Sequence, residues 1–205
     1  MDSIEKLTEI FRRFPGIGPR QAKRFVYFLL YQPETAGQLT QVTSELIKES
    51  RQCQSCQRFL SAEGLADKKK NICRLCLDPE VDETLLMVVE KDIDLENIRQ
   101  AGIYKGCFFV LGGLVPILEK EPQSKIRLKE LLSRINSEPN LKEIILALGV
   151  NPLGDNTAQY LKEKIEPLAA KKSLKISTLG RGLSTGTELE YLDDETIKNA
   201  LKNRA

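Results

Sequence analysis

Four cysteines stand in paired spacing: Cys53, Cys56, sixteen intervening residues, then Cys73 and Cys76. Each C-x2-C turn can aim two sulfurs at one tetrahedral ion, and four protein ligands leave no position open for water or substrate. The spacing therefore predicts a structural zinc site made of Cys53, Cys56, Cys73 and Cys76. A dithiol redox centre is the competing reading. It explains less well why the segment CQSCQRFLSAEGLADKKKNICRLC, too polar to build a core by itself, holds both pairs. The fifth cysteine, Cys107, opens the apolar run CFFVLGG and reads as a small buried residue.

A second constellation is RRFPGIGPRQAKR, residues 12–24, with five cations and no acid. Gly16 and Gly18 bracket Ile17, so a backbone without Cβ atoms can turn sharply and approach a ligand closely. Pro19 opens the helical pattern that follows, and the first amides of a helix have no intrahelical acceptor. Turn and helix together make a socket for a phosphate oxygen. Arg20, Lys23 and Arg24 lie three or four residues apart on that helix, and Arg12 and Arg13 approach from the one before. Such groups grip a nucleic-acid backbone without reading bases, with an affinity that falls steeply in salt. The plainer reading is a two-helix turn with solvated arginines.

A third candidate is acidic. Glu90 follows the apolar run LLMVV, at the end of a strand where open parallel sheets place their ligands, and could hold magnesium. Asp92 and Asp94 come next and also suit the first turn of a helix. Asp155 is the acid of the loop GVNPLGDNTA and also suits a helix N-cap. The chain has no histidine, which excludes Ser-His and Cys-His nucleophile arrangements.

The elements that must position these groups follow from periodicity. Ile4, Leu7, Ile10, Phe11 and Phe14 predict a first helix stopped by Pro15-Gly16. Ala22, Phe25, Val26, Leu29 and Leu30 predict a second, stopped near Pro33. Residues 37–50 predict a third, with Leu39, Val42, Leu46 and Ile47 as its buried face. From Leu85 onward, short β-branched runs (LLMVV, CFFVLGG, EIILALG, KISTLG) alternate with helical patterns, which argues for a mostly parallel sheet covered on both faces. A short strand at ELEYL and a last helix close the chain. The fold class is α/β, divided into a helical unit at 1–52, a four-cysteine finger at 53–80, an α/β domain at 81–180 and a C-terminal segment at 181–205.

With 205 residues and a formal charge of +2, any polyanion site must come from local clustering. Residues 1–80 carry 13 Lys or Arg against 10 Asp or Glu, and the remainder carries 18 against 19. The start MDSIEKLTEI lacks an export signal, and the apolar run at 106–118 is too short and too interrupted to cross a bilayer. The expected location is cytoplasmic, with no membrane partner; in that reducing compartment paired cysteines suggest metal and not disulfides.

Phe14 to Arg24 resembles the helix-hairpin-helix module, an element that binds DNA without sequence preference. The series strand, Glu90, helix, strand, helix, strand, acidic loop, helix resembles the Toprim domain of topoisomerases, primases and certain nucleases, although the Asp-x-Asp pair of catalytic members is missing here. The order of the parts resembles the bacterial RecR recombination mediators over nearly the full chain: PGIGP and the cations to Arg24, VVE at Val88 to Glu90, and a GELEY-like ending at Thr187 to Tyr191. This resemblance implies a non-enzymatic DNA-binding scaffold. It implies DNA-binding residues at Gly16, Gly18, Arg20, Lys23 and Arg24, and a homo-oligomer, dimer or tetrameric ring, that surrounds single- or double-stranded DNA. It also implies cooperation with RecO and RecF in loading recombinase, at the nucleoid. The alternative is a Toprim-type nuclease or primase-like enzyme using Glu90 and Asp155 with magnesium. Three departures mark this chain: a finger of about twice the usual length that includes Lys68, Lys69 and Lys70, an acidic loop shortened to NPLGDNT, and GRGLSTGTELEY near the C-terminus.

Overall fold

The computed structural model describes residues 1–180, 188, 190 and 194–202, and divides into two compact units, Met1–Ser50 and Arg51–Ala205. The first is built from α1 (Ser3–Arg12), α2 (Pro19–Tyr31) and α3 (Pro33–Glu49). Asp2 and Glu5 cap α1 reciprocally: Asp2 Oδ1 accepts the Glu5 amide at 2.8 Å, and Glu5 Oε2 accepts the Asp2 amide at 3.2 Å. Proline at the first position starts both later helices, where its missing N–H costs nothing. Phe11 meets Phe25 edge to face at 5.6 Å, over the buried Ala22 and Val26. The predicted face of α3 behaves differently. Leu39, Val42, Leu46 and Ile47 are exposed, and no buried residue lies on α3.

The second unit starts with the finger. Its ribbons are β1 (Ser50–Gln52) with β2 (Phe59–Ser61), and β3 (Leu65–Asp67) with β4 (Ile72–Cys73). The α/β part runs β5 (Asp82–Val89), α4 (Asp92–Ala101), β6 (Gly106–Val110), α5 (Leu128–Ser137), β7 (Glu143–Ala147), α6 (Pro152–Lys172) and β8 (Lys175–Thr178); α7 spans Asp194–Lys202. The four strands form one parallel sheet in the order β6-β5-β7-β8, with Val89 level with both Val110 and Ala147.

Alternation along β5 supplies both faces of the sheet, as the uninterrupted apolar run predicted. Leu86 and Val88 join Phe109, Ile144 and Leu146 under α5 and α6, which contribute Leu131, Ile135, Leu161 and Ile165. Met87 and Val89 join Phe108 and Val110 on the other face against Leu95 of α4. Lys172 at the end of α6 donates to the carbonyls of Ile135, Asn136 and Glu138, closing the C-terminus of α5. The N-cap of α6 is Asn151, whose side chain accepts the Gly154 amide at 2.9 Å; Asp155 sits within the first turn. The predicted ELEYL strand lies outside the described residues.

Candidate nucleic-acid interface and metal centre

Gly16 adopts φ +75°, a left-handed conformation that a side chain would strain, and it reverses the chain between α1 and α2. Gly18 is extended and precedes Pro19 as the N-cap of α2. A Cβ at either glycine would meet no atom within 4 Å, so the corner faces open space. The first helical bond runs from the Ala22 amide to the Gly18 carbonyl at 2.9 Å, which leaves the amides of Arg20 and Gln21 ahead of it without an intrahelical acceptor. The corner is thus an exposed patch of amide donors.

The five cations around it are not equivalent. Arg12 is paired with Glu9 at 2.5 Å, an acid one turn before the segment. Arg24 Nη1 lies 3.4 Å from Gln21 Oε1. Lys23 lines a cleft of about 550 Å3 between α1 and α2 with Asp2, Glu5 and Glu9. Arg13 and Arg20 are exposed and meet no acid among the described residues. Arg20 and Arg24, one helical turn apart, are the pair that α2 places beside the corner.

In the finger, the four sulfurs lie within 4.8 Å of one another. Cys53 Sγ is 3.9 Å from Cys76 Sγ, and Cys56 Sγ is 3.7 Å from Cys73 Sγ. A tetrahedral zinc with bonds of about 2.3 Å has sulfurs about 3.8 Å apart, so the residues present fit that ion. The Cys73 amide donates to Cys53 Sγ at 3.4 Å, a bond suited to a thiolate. Hydrogen bonds from Cys56 first, then Cys73 and Cys76, hold the Cys53 thiol far below its ordinary pKa; the bond to Cys53 pushes Cys56 far above it. Cys53, Cys56 and Cys73 are buried and Cys76 half-buried.

Three arginines dock this finger onto the α/β part. Arg58 pairs with Glu96 of α4 at 2.9 Å. Burial opposes its charge, but the neighbouring sulfurs of Cys73 and Cys56 and then Glu96 outweigh burial and hold its proton more tightly than usual. Arg127 Nη1 donates to the carbonyls of Gln57 and Val110. Arg134 reaches Ser55 Oγ, lies 3.8 Å from Cys107 Sγ and pairs with Glu138 at 3.0 Å. Cys107 is accordingly half-buried against the core and has a guanidinium beside it. None of these arginines stood out in the sequence. The available signal was the spacing of Arg127 and Arg134, seven residues apart, the first at the N-cap of α5 and the second two turns into it.

Glu90 and Asp155 follow the adjacent strands β5 and β7. Glu90 forms an ion pair with Lys91 at 2.7 Å. Asp92 accepts the Phe59 amide of the finger at 2.7 Å, and Asp94 accepts the Lys91 amide at 2.9 Å and so caps the start of α4. Among the described residues, the metal-ligating side chains that come together are the four cysteines. No described helix is long and apolar enough to cross a membrane.

A parallel sheet with a glutamate beyond its first strand, a four-cysteine finger docked on it and a helical glycine corner ahead define a Toprim-containing protein with a helix-hairpin-helix. Residues 84–179 match the Toprim domain, residues 4–45 the RecR helix-hairpin-helix and residues 182–205 the RecR C-terminal region. The recombination protein RecR of Chloroflexus aurantiacus is 34% identical over 202 residues, covering 98% of this chain and 93% of its own length. That of Legionella pneumophila subsp. pneumophila is 34% identical over 206 residues, covering 100% and 97%. The chain belongs to the RecR family of recombination proteins.

Proposed function

We propose that this chain is a non-enzymatic recombination mediator in recombinational DNA repair. It binds single- and double-stranded DNA through the amides at Gly16 and Gly18 and through Arg20, Lys23 and Arg24, flanked by Arg12 and Arg13. The observation that carries this reading is the glycine corner, open on its outer side and bordered by exposed guanidinium groups. Zinc held by Cys53, Cys56, Cys73 and Cys76 braces segment 53–80, segment 1–52 grips the strand, and 81–180 with 181–205 form the scaffold to which RecO and RecF bind at the nucleoid, in the cytoplasm. The exposed apolar face of α3 supports self-association into a dimer or tetrameric ring, which sets several weak sites around one strand and raises avidity through effective concentration.

Arg20→Glu with Arg24→Glu tests the corner. Removing two phosphate contacts lowers the slope of log affinity against log salt by about 1.8 on duplex DNA. Fluorescence anisotropy at two salt concentrations reads this, and unchanged affinity removes the corner from the site. The position of Glu90 beyond β5 also favours a second reading, a magnesium-dependent nuclease or primase-like enzyme using Glu90 and Asp155. DNA nicking or primer synthesis lost in Glu90→Ala supports that enzyme; no turnover in either protein supports the mediator.

A further inference from the structure

The segment between the two cysteine pairs of the finger carries three consecutive lysines, Lys68, Lys69 and Lys70. Residues 68–71 close the hairpin between β3 and β4, and Asp67 Oδ1 accepts the amides of Lys69 and Lys70 at 2.9 and 3.0 Å. Asn71 completes the turn at φ +52°. The acid nearest the lysines is therefore engaged by backbone donors, while the side chains of Lys68, Lys69 and Lys70 are exposed and have no ion-pair partner among the described residues. The turn is also anchored, because Cys73 in the returning strand is one of the four clustered cysteines.

A groove of about 370 Å3 begins beside this turn. Ile72 and Gln54 line it from the finger, and the Gln54 amide donates to the Asn71 carbonyl at 2.9 Å. From α5 it takes Lys129, Ser133 and Ser137, four residues apart and so on one helical face, together with the acid Glu130. Ser55, Gln57 and Arg134 complete the lining, which thus holds two amides, three hydroxyls, an ammonium and a guanidinium against the one acid, and Ile72 joins it to the turn that carries the three lysines.

We propose that the Lys68–Lys70 turn and this groove form a second nucleic-acid contact, which takes the phosphodiester backbone of a DNA strand. The proposal rests on the DNA-binding reading above. The chemistry favours a backbone over a peptide. Lysines are point charges that contact phosphates without reading bases, and apart from Ile72 the groove offers no apolar socket for a side chain.

The test uses the full, zinc-loaded chain, a fluorescein-labelled oligothymidylate and anisotropy over about 50–200 mM NaCl. Three lysines that release counterions from a single strand account for a slope of about 2, so Lys68→Gln/Lys69→Gln/Lys70→Gln is expected to flatten the slope by that amount. It should also weaken binding about ten- to a hundred-fold near 0.1 M salt. Ser133→Asp/Ser137→Asp, which adds charge to the groove and spares the lysines, is expected to weaken binding as well; if it loses zinc, the triple lysine variant decides alone. Wild-type affinity and slope in the triple variant, while Arg20→Glu/Arg24→Glu loses binding, overturn this contact and leave the glycine corner standing. A wild-type chain that does not bind overturns both. Poly-L-glutamate binding that disappears in the triple variant while DNA affinity stays intact assigns the surface to an acidic protein and also overturns the proposal.

Discussion

Arg127 offers a stringent check on how the finger is held. Its Nη1 donates to the Gln57 carbonyl at 2.9 Å and the Val110 carbonyl at 3.0 Å, and its guanidinium carbon lies 5.5 Å from the centre of the Phe59 ring. One side chain thus ties the first cysteine turn and β2 to the edge strand β6. Gly112 makes room for it: at φ +88°, a Cβ there would come within 3.0 Å of that guanidinium. Arg127→Met keeps the apolar stem and deletes the donors. A hydrogen bond from a charged donor contributes about 1.5–3 kcal/mol. Because the Gln57 carbonyl also accepts from Gln52 Nε2 at 3.0 Å, it keeps a partner, and the lower end of that range applies. Two such bonds give about 3 kcal/mol, to which the contact with Phe59 adds about 0.5 kcal/mol. For a chain of this size that total of about 3.5 kcal/mol corresponds to a melting temperature lower by roughly 7–14 °C. Calorimetry on the zinc-loaded protein measures it, and the rate of zinc release to a chelating dye should rise in parallel. Arg127→Lys should fall between, since one ammonium cannot span both carbonyls or stack flat on Phe59. A melting point within about 1 °C of wild type, with unaltered zinc release, would refute the docking argument.

Leu46→Asp with Ile47→Asp should lower the mass measured by light scattering while leaving circular dichroism unchanged, because both side chains are already 64% and 75% exposed within one chain; an unchanged mass excludes α3 as the subunit contact. Glu143 joins β7 to β8 by accepting from Ser177 Oγ at 2.6 Å and Lys175 Nζ at 3.0 Å, and these bonds, Ser177 first, hold its carboxyl below the ordinary 4.5. A lowered carboxylate stabilises the fold above its unfolded pKa, and that contribution is lost as pH falls through the folded value. The difference in urea midpoint between wild type and Glu143→Gln should therefore be largest near neutral pH and shrink as pH falls below the ordinary glutamate range; a difference that stays constant with pH contradicts the pairing.

What the sequence made legible was whatever is written locally. Paired cysteines carry their geometry in their spacing, and Gly16 announces a turn because the left-handed conformation it adopts disfavours other residues. Run and alternation in LLMVV carry a doubly covered strand, and Glu90 at its end follows directly. The docking arginines were not legible, because Arg58, Arg127 and Arg134 acquire partners 38, 70 and 79 residues away, and a cation in isolation looks like surface. Lys23 shows the same limit at shorter range. Spacing puts it on the helix with Arg20 and Arg24, but the acids of α1 that line its cleft come from a separate element.

The third helix shows where periodicity itself stops. Leu128, Leu131 and Ile135 on α5 and Leu39, Val42, Leu46 and Ile47 on α3 both make helical stripes, yet the first is buried and the second exposed. A stripe encodes that a face is to be covered, not which chain covers it. In α5 the covering sheet is encoded in the same chain. In Met1–Ser50, whose fully buried apolar side chains among the described residues are Ala22 and Val26, three helices share a thin core to set against the entropy of ordering them. That thin core and the exposed stripe are two sides of one fact. A second copy of the chain, which presents the same stripe, would answer both, and this is the ground for proposing α3 as the subunit contact.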